Sequence, residues 1–122
     1  MATTLSTTFR LDSLTGTDPV TISIAPTLSI TDPSGSGSLT TSSGSSDTVV
    51  DGSQTADAYV FIRNTGASTA GNVLVTNNGG TANLGLLKPQ DFLFIPLKSL
   101  TGCRVAYDTA ATTVDWFYWT RS

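Results

Sequence analysis

The side chains able to carry chemistry are few. The chain of 122 residues has nine aspartates and a lone cysteine, with no histidine and no glutamate. Without histidine there is no His-centred triad and no imidazole acid–base pair. A single cysteine without histidine does not make an ordinary structural zinc site. Asp47, Asp51 and Asp57 lie closest together, mostly beside glycine and serine, and read as solvated turn residues. A calcium site would need several oxygens to converge, and EF-hand spacing is missing. Gly35-Ser-Gly37 and Gly79-Gly80 lack the strand, glycine loop and helix of a phosphate site. These residues point to a non-enzymatic protein with no catalytic residues, no metal and no cofactor.

The aromatic residues carry more pattern. In the last stretch Val114, Trp116 and Tyr118 alternate with Asp115, Phe117 and Trp119. In a strand the two sets point to opposite faces. One set packs inward; the other meets a neighbour or a ligand. Leu5, Phe9, Tyr59, Phe61, Trp116, Tyr118 and Trp119 are therefore the interface candidates. The competing use of exposed rings is to stack on sugars, as in lectin-like sandwiches, and only that use makes a glycan the partner.

The elements that hold these residues read as short strands. Leu, Glu, Lys and Ala at helical spacing are missing, and threonine and serine are the two commonest residues. β-branched threonine favours strands. Period-two runs recur about every ten residues: Thr4–Leu11, Val20–Ile24, Leu28–Ile30, Thr48–Asp51, Ala56–Arg63, Val73–Val75, Thr81–Leu87, Asp91–Leu97, Arg104–Asp108 and Val114–Thr120. Turn signals separate them: Leu14–Pro19, Asn64-Thr-Gly66, Asn77-Asn78-Gly79-Gly80 and Pro89-Gln90-Asp91. The Asn-Gly pair suits a type I′ hairpin, whose central positions need positive φ. The pattern predicts an all-β antiparallel sandwich or barrel. Phe92-Leu-Phe-Ile-Pro-Leu97 is the most apolar run and is apolar on both faces, which predicts a strand buried inside the sandwich. On that reading Phe94→Ala would destabilise the fold by about 3–5 kcal/mol.

Two segments leave choices open. From Ser34 to Ser46 every residue but Leu39 is Ser, Gly or Thr. Residues 32–46 therefore read as a mobile loop or linker, too poor in apolar groups to order themselves. Residues 1–31, with Leu5, Phe9, Leu11, Ile22, Ile24, Leu28 and Ile30, are either an extended N-terminal arm that attaches the protein to an assembly or the first strands of the sandwich. Thirty residues are too few for a separate domain, so residues 1–122 read as one.

Charged residues are only 12% of the chain and the net charge is −3. The basic residues Arg10, Arg63, Lys88, Lys98, Arg104 and Arg121 are scattered, which argues against nucleic acid as a partner. Arg63 and Arg104 are placed to pair with aspartates across strands. No run approaches the roughly 20 apolar residues of a membrane span. The start, Met-Ala-Thr-Thr-Leu-Ser, has neither the basic nor the apolar region of a signal peptide. Cys103 reads as a small buried hydrophobe. So few charges protect a monomer poorly against association, which predicts a homo-oligomer.

Leu87-Lys-Pro-Gln-Asp-Phe-Leu-Phe-Ile-Pro96 resembles the L-x-P-G-D-x-x-x-I-P strand of cupin-like jelly rolls. Cupin enzymes hold a metal with histidine and glutamate, and this chain has neither. The whole layout also resembles small virion proteins of tailed bacteriophages. The likeness lies in the Met-Ala-Thr-Thr start, the Ser/Thr/Gly-rich first third, Tyr59-Val-Phe-Ile-Arg-Asn-Thr-Gly66, then Leu87–Pro96 and the aromatic closing strand. That resemblance implies a jelly-roll-like sandwich, made in the host cytoplasm and placed on the virion. It implies a capsid decoration (cement) subunit, commonly a trimer, bridging copies of the major capsid protein. The alternative it leaves is a tail-associated, receptor- or glycan-binding module.

Overall fold

The computed structural model describes residues 3–12, 21–44 and 46–122. Its strands are β1 (Thr3–Ser6), β2 (Phe9–Asp12), β3 (Thr21–Ile24), β4 (Thr27–Thr40), β5 (Ser46–Val50), β6 (Ala58–Asn64), β7 (Asn72–Thr76), β8 (Asn83–Leu87), β9 (Phe92–Leu97), β10 (Cys103–Asp108) and β11 (Thr113–Arg121). Strand accounts for 62% of the described residues and helix for none, as the period-two runs predict. The turn expected at 14–19, together with Val20, lies outside the described residues.

One sheet has the order β1-β4-β11-β6-β9 and a second β5-β10-β7-β8; β2 and β3 form a separate two-stranded ribbon. All pairings are antiparallel. From β4 onward the chain changes sheet at every connection except the β7–β8 hairpin. That winding is a jelly roll of two four-stranded sheets, with β1 added to one of them as a fifth strand.

Between the sheets, Val60, Ile62 and Val114 meet Val73, Val75, Val105 and Cys103, all fully buried. Small β-branched side chains suit this layer because they hold one rotamer and fill the pleats of both sheets. Asn64 closes one end of the layer. Its Nδ2 donates to the carbonyls of Gly71 and Leu87 at 3.0 Å. Its Oδ1 accepts from the Gly66 N–H at 3.0 Å and the Thr112 hydroxyl at 2.8 Å. All four hydrogen-bonding positions of this buried amide are used, which is what makes its burial tolerable. Neither Asn64 nor Gly66 has positive φ. The Asn-Thr-Gly stretch works through this amide, and a Cβ at Gly66 would overlap Thr112.

Residues 32–46 are not one loop. Residues 32–40 belong to β4, the longest strand, whose residues 34–40 pair with β11, and residues 41–44 lie outside any strand. The glycines explain how so poor a segment is ordered. Gly35 and Gly37 lie opposite Tyr118 and Trp116, and a Cβ there would stand 2.6 Å and 2.7 Å from those rings. The rings occupy the missing side-chain space, while Ser34, Ser36 and Ser38 point outward and are exposed.

The central position expected for Phe92–Leu97 is also corrected. β9 is an edge strand, joined only to β6. Pro96, which has no N–H to donate, suits an edge. Leu93, Ile95 and Leu97 reach the core, but Phe92 and Phe94 stand on the opposite side, 50% and 38% exposed.

The β7–β8 hairpin forms, with a longer connection than a type I′ turn. Gly80 N–H donates to Asn77 O at 3.0 Å, and of the four turn residues Gly80 alone has positive φ. Before β9 the turn closes by Asp91 N–H to Lys88 O at 2.9 Å, with Gln90 at φ 74°. Gln90 thus occupies the left-handed position that glycine holds in the motif it resembles.

Candidate interaction surface

The outer face of the five-stranded sheet is built from three i, i+2 pairs. β6 supplies Tyr59 and Phe61, β9 supplies Phe92 and Phe94, and β11 supplies Phe117 and Trp119. Register aligns them into rows: Phe117, Phe61 and Phe94 side by side, then Trp119, Tyr59 and Pro96. The rings stack along the surface. Tyr59 and Phe94 lie 5.8 Å apart at 15°, Phe61 and Phe92 5.9 Å at 24°, and Phe117 and Trp119 6.0 Å at 7°. Phe61 and Phe117, 6.0 Å apart, join the last two stacks. Such pairs add roughly 0.5–1.5 kcal/mol each beyond their buried area.

At one end the Arg121 guanidinium sits 4.9 Å over the Tyr59 ring, an arrangement that favours a cation on a ring face. At the other end Arg63 Nη2 donates to Gln90 Oε1 at 2.9 Å. Arg104 Nη1 donates to Asn78 O at 2.8 Å. Neither arginine makes the expected ion pair; among the described residues the salt bridge is Arg10–Asp12, at 2.7 Å.

The N-terminal strands lean over this face. β1 pairs with the first residues of β4, placing Leu5 opposite Leu28. The ribbon then brings the Phe9 ring to 6.4 Å from Phe92 at 66°. Between this cover and the sheet runs a cleft of about 740 Å³. Its floor is Tyr59, Phe61, Phe92, Phe94, Pro96 and Trp119, and its cover is Leu5, Phe9, Ile24, Pro26 and Leu28. Among the described residues Arg121 is the one charged residue lining it.

Of the interface candidates, Leu5, Phe9, Tyr59, Phe61 and Trp119 converge on this cleft. Trp116 and Tyr118 do not: they stack on each other at 6.3 Å on the inner face, half-buried against the core. The structure adds Phe92 and Phe94, expected in the interior, Phe117, outside the candidate set, and Ile24 of the N-terminal segment. Pro96 was the available signal, because a proline within a strand points to an edge.

Elsewhere, Ser53 donates to Asp51 Oδ1 through both its N–H and its hydroxyl at 2.7 Å. These bonds hold that carboxyl below its usual range. Asp57 Oδ1 accepts from the Ser99 N–H at 2.8 Å. Among the described residues no three His, Cys, Asp or Glu side chains come together to hold a metal. Burial pushes the Cys103 thiol up to about 12. No family model, no curated protein and no solved structure matches this chain.

Proposed function

We propose that this chain is a non-enzymatic structural subunit of a tailed-bacteriophage virion, a capsid decoration protein that works by covering and bridging its neighbours. The observation that carries the reading is the open aromatic face on a sheet whose other face is already filled. Large contiguous apolar patches on a surface mark sites of association. Jelly rolls recur in capsid domains, and the likeness to small virion proteins adds the particle as the setting. A subunit repeated over a shell turns a modest contact into firm attachment through multivalency.

The glycan-binding reading draws on Trp119 and the cleft. It is second because a sugar needs hydrogen-bond partners for its hydroxyls, whereas the cleft, which Ser6, Thr7, Thr8 and Arg121 also line, is mostly apolar or aromatic. Purified particles test the proposal. Cryo-microscopy and quantitative mass spectrometry should find the protein on the head at a fixed ratio to the major capsid protein. Its absence from particles, together with sugar-dependent quenching of tryptophan fluorescence, would replace the decoration reading with the glycan one.

A further inference from the structure

The β2–β3 ribbon has one apolar face. Phe9 pairs with Ile24 and Leu11 with Ile22, so all four side chains project to the same side. They are 39%, 54%, 51% and 42% exposed in that order. A two-stranded ribbon with nothing on its apolar face is marginal in water. Within its own chain the ribbon reaches the aromatic face at one corner, where Phe9 and Ile24 line the cleft; Leu11 and Ile22 do not line it. Short links at residues 7–8 and 25–26 join the ribbon to the sheet. The Thr7 hydroxyl on Pro26 O, at 2.9 Å, ties the two links together. So leashed, the ribbon projects its outer half beyond the face it touches. One chain thus carries two open apolar surfaces that its own geometry does not bring into full contact.

The geometry points to a second copy as the occupant: the projecting half of one ribbon, Leu11 and Ile22, lies in the cleft of another copy. This deepens the structural-subunit reading and rests on it in taking the protein to work as an assembly. The area supports the choice. The open parts of Leu11 and Ile22 on one copy, and of Phe9, Ile24, Phe92 and Phe94 around the cleft of the other, come to roughly 500 Å² per contact, given the size of such side chains. Two contacts in a reciprocal pair bury about 1,000 Å², at the low end of specific interfaces. Exchange of an identical element between copies is a well-known route to association. The four ribbon side chains carry no charge, and the charged residue among the described lining, Arg121, already has its guanidinium over the Tyr59 ring.

The test uses the full chain in solution, without particles, so its outcome is separate from whether the protein decorates a head. Light scattering at micromolar concentration should give at least twice the chain mass, and Leu11→Asp should return it to one chain mass. Because Leu11 is exposed within a single chain, that variant should keep the far-UV spectrum of the parent. In a second measurement, Leu11→Cys chains are mixed with Phe94→Cys chains and oxidised. A disulfide joining the two kinds of chain is the expected product. A monomeric parent, an oligomer that Leu11→Asp leaves intact, or disulfides only between two Leu11→Cys chains would overturn the inference. Particle binding by a parent that is monomeric in solution would sink this inference and leave the decoration reading standing.

Discussion

The two faces of the five-stranded sheet are both apolar, yet they are made differently. The inner face centres on Val60, Ile62 and Val114, fully buried against a second sheet, with the rings of Trp116 and Tyr118 half-buried beside them over the β4 glycines. The outer face is rings, and apart from Tyr59 they remain partly exposed. Branched aliphatics interlock with a layer above them, so they are effective only when that layer is present. Flat rings stack on their lateral neighbours in the same sheet. They gain part of their stabilisation with one side open, and the open side remains available. An apolar strand therefore does not imply two covered faces: β9 turns Leu93, Ile95 and Leu97 to the core and leaves Phe92 and Phe94 on the open side.

This contrast can be broken most forcefully at the end of the core. Asn64→Ala would leave two carbonyls, one N–H and the Thr112 hydroxyl without their buried partner. We expect a loss of about 4 kcal/mol in urea unfolding. The neighbouring faces come next. Ile62→Ala should lower stability by about 3–4 kcal/mol through lost burial and a cavity. Phe94→Ala should lower it by only about 1–2 kcal/mol, because the ring is already part-exposed and chiefly stacks on Tyr59. Equal losses at the two sites would show that the outer face is as closed as the inner one.

The pH dependence of stability tests the dryness of the core. Cys103 titrates at about 12 when folded against an ordinary 9.0. Above 9.0 the unfolded thiol gives up its proton while the folded one keeps it. Stability is then lost as pH rises, by up to about 1.4 kcal/mol per unit between the two values. Comparing the parent with Cys103→Ala from pH 8 to 11 should give curves that run parallel at first and diverge above 9.0; parallel curves throughout would place water at the thiol.

A smaller contrast runs along β4. Gly37→Ala drives a Cβ into the Trp116 ring and should destabilise by about 1–3 kcal/mol, with a changed near-UV spectrum. Ser36→Ala, one residue away on the outer face, should shift stability by less than about 0.5 kcal/mol.

Period-two alternation in the sequence already held most of the strands and the division of Trp116 and Tyr118 from Phe117 and Trp119. It held them because side-chain direction in a strand is a local property of the backbone. The turn before Asp91 and the hairpin at Asn77–Gly80 were legible for the same reason: Pro, Asn and Gly act on their own φ and ψ. What pairing and layering decided could not be read locally. Whether β9 is central or at an edge depends on how many neighbours it has, and a run of apolar residues looks alike in both places. Residues 34–40 look like a linker alone, and become a strand only when Trp116 and Tyr118 arrive from the far end of the chain to fill the space over Gly35 and Gly37. The aromatic face likewise exists only in the fold. Phe61, Phe94 and Phe117 belong to three runs far apart in sequence, and antiparallel register sets them side by side.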